Sequence, residues 1–379
     1  MALSSDANSI PNISNTQRFP RGIVKINGNI IPGLIEIEVD SNAWRECDTF
    51  RVTLALSALQ APYDEAWICS QTTMQVTLYA GTVDDPNNWG VTDLGLPIIV
   101  GNVDTIDYNL SARTLELTGR DLTSLLIDTR TAEKWINQSA SQIATTLANR
   151  HGLTPQVKDT SGLAGGFYQA DHVIPTTSQT EWDLLCWLAQ QVGFVVYVKG
   201  QSLYFGPPPD TTCNKYPITW QPADSQNAFC SNVSSLKFSR TLTVGKTITV
   251  TVRTFNQQQR QGFEITYPSA KGGKIKPGSA TSPAQNYSYL IPNLTKDQAT
   301  QRAMAIYNEM IKHEMLLTAN LPADSVLDVM HVIPASGTGT AFDQTYYPES
   351  INRRLSMDEG YRMSISAKNH SDEVEPAAP

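Results

Sequence analysis

The sequence predicts a β-rich α+β protein: two similar antiparallel β-barrel domains, an α/β insertion between them, and a further helix and loop segment. Three observations carry this expectation. Short runs that alternate apolar and polar residues fill the stretch from Ile23 to Thr118 and return at Val233–Val252 and Leu316–Leu321. Between them, Thr180 to Pro207 changes period, first to helical spacing and then to a β-branched and aromatic run. Finally, residues 35–56 echo 235–255 in pattern, and 100–121 echo 347–370, each as strand, polar bend and strand.

In chain order, Ile23-Val24-Lys25-Ile26 runs into the turn signal Asn27-Gly28-Asn29. Leu34 to Val39 alternates apolar and acidic residues, as a strand with one wet face requires. Phe50, Val52, Leu54 and Leu56 repeat at period two, as do Met74, Val76 and Leu78, and residues 98–103 and 114–119 continue the series. Short strands joined by turns at this spacing indicate a barrel or sandwich. After Gly119, Leu122, Leu125, Leu126 and Ile127 predict a short helix. A second helix begins at 137–143, with Ile143, Leu147 and Ala148 inward and Gly152 as its stop.

The next helix starts at Thr180, a side chain suited to cap free backbone N–H groups, with Glu181 complementing the helix dipole. Trp182, Leu184, Leu185, Leu188, Ala189 and Val192 form its apolar stripe, Gly193 ends it, and two strands follow around Gly200. Further on, Thr247–Val252 alternates strictly, 257–262 reads as a polar hairpin end, and 270–283 as a Lys/Gly/Pro-rich loop. Thr295-Lys296-Asp297-Gln298 caps a helix extending to Met315, with Ala299, Ala303, Ile306, Met310 and Ile311 inward. The expected parts are a flexible arm (1–20), a first barrel (21–128), the insertion (129–215), a second barrel with helix 295–315 (216–369) and an acidic tail (370–379).

Composition narrows the function. At 379 residues the chain exceeds one ordinary core. Its net charge of −8, with 17% charged residues, lacks the basic footprint of a nucleic-acid binder, although an acidic wall suits a conduit that lets DNA pass. The amino terminus has no apolar signal-peptide core, and no apolar run reaches the roughly 20 residues that span a bilayer. A soluble protein is expected. The cysteines at 47, 69, 186, 213 and 230 are scattered without a CxxC pair, which argues against zinc. Cys186 lies on an apolar helix face, and only Cys213 and Cys230 lie near enough to meet across a short loop. Synthesis in a reducing cytoplasm is the simpler reading.

Candidate chemistry is thin. Asp171-His172 has no accompanying nucleophile motif, and His313-Glu314 lacks the second histidine of a zinc helix. His151 before Gly152 is explained by a helix C-terminus. The carboxylate pairs Asp84-Asp85, Asp358-Glu359 and Asp372-Glu373 motivate a wall-degrading hydrolase, which needs two carboxylates facing across a cleft. Gly162–Gly166 follows no strand of a βαβ unit, and Gly272-Gly273, flanked by Lys271, Lys274 and Lys276, reads as a solvated basic loop. Trp182 and Trp187 read as core or interface anchors. Trp44, Trp89 and Trp135 lie in loop contexts that favour protein contacts, and the dispersed Trp and Tyr on β structure motivate a carbohydrate-binding adhesin. No catalytic, cofactor or metal residue is assigned.

The segments GRDLTSLLIDTR (119–130), NQSASQIATTLANRHGL (137–153), YQADHVIPTTSQTEWDLLCWLAQQVGFVVYVKGQSLYFGP (168–207) and INRRLSMDEGYRMSISAKN (351–369) resemble the phage late control protein D family. These are baseplate hub proteins of Mu-like and P2-like contractile tails, with related hubs in contractile secretion machines. The resemblance runs from about Arg21 to Asn369 and rests on order and texture. It implies a non-enzymatic homotrimer whose two barrels per chain make a six-barrel ring. That ring would join the tail tube to a three-fold spike and let DNA through, with the protein assembled in the host cytoplasm and carried in the virion baseplate.

Overall fold

The alternating runs become strands whose burial follows the sequence period, as in the first long one, where Ile37, Val39 and Ser41 are buried between half-exposed neighbours. A computed structural model of the chain describes residues 19–43, 46–83, 94–131, 133, 135, 138–160, 179–208, 214–223, 229–240, 248–256, 261–267, 285–291, 299–300, 302–304, 306–307 and 315–369. The amino-terminal half contains β1 (Phe19–Ile26), β2 (Asn29–Ile31), β3 (Leu34–Asn42), β4 (Thr49–Ala55), β5 (Gln75–Val83), β6 (Ile99–Asn109) and β7 (Thr114–Asp121). Asn27 and Gly28 turn β1 into β2 with φ of 48° and 84°, the left-handed pair that the Asn-Gly signal calls for. β1 begins at Phe19, two residues inside the expected arm. Helix α1 (Glu65–Ser70), with Asp64 accepting from the Trp67 N–H at 2.9 Å, is too short to betray itself by periodicity.

Helix α2 (Thr123–Asp128), at the end of the expected first barrel, packs with the insertion, which contains β8 (Arg130–Thr131), α3 (Ala140–Arg150), β9 (Thr154–Val157), β10 (Gln179–Thr180), the next helix, α4 (Glu181–Val192), then β11 (Val195–Lys199) and β12 (Ser202–Gly206). Both long helices start with reciprocal capping boxes, Ser139 with Gln142 and Thr180 with Asp183. Gly193 closes α4 at φ 69°, where a side chain would be strained. The expected hairpin β11–β12 forms, and β9 adds to it in parallel on the β12 side. The helices cover this sheet to make a separate core that includes Leu126, Ile143, Leu147, Leu185, Leu203 and Phe205.

The carboxy-terminal half contains β13 (Ile218–Gln221), β14 (Cys230–Ser231), β15 (Ser235–Arg240), β16 (Ile248–Asn256), β17 (Gln261–Tyr267), β18 (Gln285–Leu290), β19 (Met315–Pro322), β20 (Ile333–Ser336), β21 (Thr345–Ser356) and β22 (Gly360–Lys368). Strands β16, β17 and β18 form a small sheet of their own, with Val250 and Val252 packed on Ala299, Ala303 and Ile306 of the predicted helix. That helix does not reach Met315, which is the first residue of β19. Its expected cap at 295–298 and its last turn lie outside the described residues, as do the loop at 270–283, residues 1–18 of the arm and the tail at 370–379.

The two halves repeat one topology. Spatial order in the first is β1-β5-β6-β7-β4-β3, and in the second β13-β20-β21-β22-β19-β15. With the short β2 and β14 and the separate sheet β16–β18 set aside, six strands remain in each half, and in both they stand in the order first, fourth, fifth, sixth, third, second. The echo between 100–121 and 347–370 is therefore structural, since both are antiparallel hairpins in the same place, β6–β7 and β21–β22. The echo between 35–56 and 235–255 is only half right. β3 corresponds to β15, but the counterpart of β4 is β19, because β16 and its sheet are inserted between β15 and β19. The last pairing also differs: β1–β5 is antiparallel, whereas β13–β20 is parallel.

The halves are fused into one continuous sheet. β21 gives its first residues to β20, passes a bulge at Glu349, and pairs residues 350–356 with β3 of the other half. One core cluster spans both, from Ile37 and Leu117 to Tyr346 and Ile365. β1 closes against this joint, since a Cβ on Gly22 would lie 2.5 Å from Leu34 Cδ2 and 2.6 Å from Leu355 Cδ2.

Candidate functional site

The feature with the strongest electrostatic perturbation is a cleft of about 120 Å³ where the two halves and the insertion meet. It is lined by Asp48 before β4, Asp121 at the end of β7, Lys199 and Gly200 at the β11–β12 turn, Asp328 before β20, and Arg353 on β21. Asp48 accepts from the Asn42 N–H at 2.8 Å, and Asp121 accepts from the Thr123 N–H at 3.1 Å and its hydroxyl at 2.8 Å. Burial pushes the Asp48 carboxyl up to about 6, against the pull of Arg353 and Lys199. Burial and the neighbouring Asp48 push Asp121 up to about 8. Lys199 is ion-paired with Asp328, and its ammonium is held below the ordinary lysine range by burial and by Arg353.

Arg353, 6% exposed, donates to the carbonyls of Asp324 and Leu327 and so ties the loop before β20 to the joint strand. His331 accepts the Asp328 N–H on Nδ1 at 3.1 Å and is held below the usual histidine range by burial and Lys199. Asp48, Asp121, Lys199, Asp328 and Arg353 thus each have a fastening partner in this cleft. The arrangement locks three parts together. Among the described residues no group of three or more histidines, cysteines or carboxylates is placed to hold a metal ion, and no helix is long and apolar enough to cross a membrane.

The residues singled out in the sequence disperse. Asp358 and Glu359 sit in the exposed turn between β21 and β22, and Glu359 is the one carboxylate on a nearby groove that Arg354 and Arg362 also line. A facing acid pair is missing there. His151 does more than cap a helix: with Arg150 it clasps Glu181, fully buried at the start of α4, at 2.5 Å each. This ties the end of α3 to the start of α4. Trp182 is core, and Trp187 is 37% exposed. Trp135, expected in an exposed context, is instead buried in the insertion core at 8% exposure, with the Arg150 guanidinium 5.9 Å from its ring centre. Cys47, Cys69 and Cys230 are free thiols, the Cys47 thiol pushed up by burial and Asp121. Trp44, Asp84-Asp85, Trp89, Gly162–Gly166, Asp171-His172, Cys213, Lys271–Lys276, His313-Glu314 and Asp372-Glu373 lie outside the described residues.

No protein-family model matches the chain, and no curated protein matches its sequence. Solved structures do match its fold. The tail protein from Neisseria meningitidis MC58 superposes with a TM-score of 0.68 at 13% identity, covering 94% of this chain and 100% of that one. The 43 kDa tail protein of prophage MuSo2 from Shewanella oneidensis gives 0.65 at 15% identity, over 92% and 98%. The chain has the fold of phage tail proteins. The Escherichia coli c3393 protein, described as a component of the type VI secretion system with structural similarity to T4 bacteriophage tail proteins gp27 and gp5, gives 0.52 at 11% identity, over 94% and 79%.

Proposed function

We propose that the protein is the structural hub of a contractile phage tail or of a related injection machine. It acts as a homotrimer in which the two barrels of each chain, 21–128 and 216–369, separated by the insertion 129–215, form a pseudo-six-fold ring. The ring joins the tail tube to a three-fold spike and leaves a passage for DNA without binding it specifically. The protein assembles in the host cytoplasm and resides in the virion baseplate. It works as an adaptor and needs no cofactor.

One observation carries this reading: the same six-strand order occurs twice in one chain, fused into one sheet. Two near-equivalent units per chain are what a three-copy ring needs to match a six-fold partner. The shared fold with phage tail proteins over more than nine-tenths of the chain supports it. The test is negative-stain imaging of the purified chain, alone and with the spike protein encoded nearby. Rings with three-fold symmetry that retain the spike support the hub. A chain that stays single in both preparations contradicts it.

A further inference from the structure

The loop 324–331, between β19 and β20, is fastened from three sides. From β21, the Arg353 guanidinium donates to the Asp324 carbonyl at 3.1 Å and to the Leu327 carbonyl. From the insertion, Lys199 at the β11–β12 turn pairs with Asp328. From the segment leading into β13, the Tyr216 hydroxyl donates to the Asp324 carboxylate at 2.8 Å. The loop in turn forms one wall of the three-way cleft, through Leu327, Asp328, Val329 and Met330. Two of its three fasteners are cations, and both feel the same buried carboxylate across the cleft, Asp48.

The sheet register puts an exchange of partners within reach. Arg353 stands opposite Val39 of β3, and Val39 stands opposite Phe50 of β4. Asp48 lies two residues before Phe50 and so shares the core face with Arg353. Strands about 4.8 Å apart, rising about 3.4 Å per residue, put the two Cα atoms roughly 12 Å apart, a gap that an arginine and an aspartate side chain span together. We propose that the loop 324–331 is a pH-gated strap, closed while Asp48 is protonated and released when its carboxylate draws Arg353 and Lys199 off the loop. An ionised carboxylate accepts two parallel bonds from a guanidinium and adds a Coulomb attraction that a carbonyl lacks, so ionisation reverses the order of preference. Once the strap is free, the insertion keeps its apolar seat on the first half, at Val100, Leu122 and Leu126, and loses its ion pair to the second.

The surrounding charges set the direction of the switch. Asp48 is faced by Asp121 of β7, by Cys47 and Asp40 of its own hairpin, and by the two cations, with Glu46 on the cleft rim. Arg353 is faced by Lys199, His331, Tyr216 and Tyr361, and Tyr197 lines the same cleft from the insertion. Burial pushes Asp48 up to about 6, and burial with Asp48 beside it pushes Asp121 up to about 8, while the Cys47 thiol and the three tyrosines are pushed higher than their ordinary ranges. His331 accepts the Asp328 N–H on Nδ1, so its protonation would loosen the loop in acid, the opposite sign. In the released state Asp48 lies against cations, which hold it at or below the ordinary value of about 3.9. The strap is therefore fully held below that value and is lost as pH rises through about 6.

The test is amide hydrogen exchange of the full chain, read on peptides spanning 324–331 and corrected for the intrinsic pH dependence of exchange. Between pH 4.5 and 7.5 the wild-type loop is expected to lose protection roughly ten-fold, while Asp48→Asn keeps its acid-state protection at both values. His331→Gln is expected to leave that step in place. Arg353→Lys, whose ammonium lacks the fork that reaches both carbonyls, is expected to exchange at the released rate even at pH 4.5. Far-UV circular dichroism confirms that each variant is folded. Equal protection of the wild-type loop at both values, or a step of the same size in Asp48→Asn, overturns the strap. Where Asp48→Asn does not fold, Arg353→Lys decides, and wild-type protection of its loop at pH 4.5 overturns the strap.

Discussion

The two halves share a strand order and differ in how their edges are finished. In the finished junction, core-face residues are fully buried and the outer face is knitted by Arg354, Asn352 and three acids. Among the described residues, β6 beyond Asp104 and β15 each have a strand on one side alone, and the apolar residues there, Ile106, Tyr108, Leu236 and Phe238, remain half-exposed. The halves also differ inside. Gly119, opposite Val103 just before the β6 bulge, corresponds to Ala367, opposite Pro348 just before the β21 bulge. A Cβ at Gly119 would lie 2.1 Å from the Asn102 carbonyl and 2.7 Å from the Phe50 ring. A repeated topology therefore does not mean repeated packing, because each half has fitted its core around its own large residues.

Substitutions that break this comparison have graded effects. Ile351→Ala, in the buried seam of the finished joint, is expected to cost about 2–5 kcal/mol in urea unfolding, as for other core truncations. Ile106→Ala at the open edge should cost under about 1 kcal/mol in the single chain. Equal losses at the two positions would mean that the open edge is already covered. Gly119→Ala should cost about 1–3 kcal/mol by overpacking against Phe50 and the backbone, although alanine is what the other half carries. The converse change, Ala367→Gly, should cost only about 1 kcal/mol.

The three-way cleft makes a pH prediction. Asp48 and Asp121 have folded values near 6 and 8, above the ordinary value of about 3.9. Their contribution is present below that ordinary value and fades as pH rises through about 6 and then about 8. The melting temperature of the wild type should therefore fall more steeply between pH 6 and 8 than that of Asp121→Asn. Parallel curves would show that Asp121 is already ionised at pH 6. The smallest effect is expected for Arg354→Ala, whose pair with Glu36 is on the wet outer face, and its melting temperature should stay within about a degree of wild type.

Much of this fold was legible because strands with one wet face alternate and helices carry their caps in the chain. Thr180, Gly193, Ser139 and the Asn27-Gly28 turn each mark a boundary by a local rule. What was not legible depends on distant pairing. Sequence pattern matched β16 to β4 because both alternate, and only the sheet shows that β19 takes that place. Trp135 read as a loop residue because no periodic run includes it, but it belongs to the core cluster that α3 and α4 build. The cleft was equally silent: Asp48, Asp121, Lys199, Asp328 and Arg353 come from five separate segments and have no spacing to read. Similarly, His151 and Glu181 had separate local explanations, and folding joined them.

The central claim is that two near-equivalent halves per chain serve a closed three-copy ring, and solution mass tests it most directly. Light scattering across a concentration series, at low and high salt, is predicted to give a species of about 125 kDa, three times the 41.6 kDa chain. A mass that stays at 41.6 kDa throughout, or settles at twice that value, would contradict it.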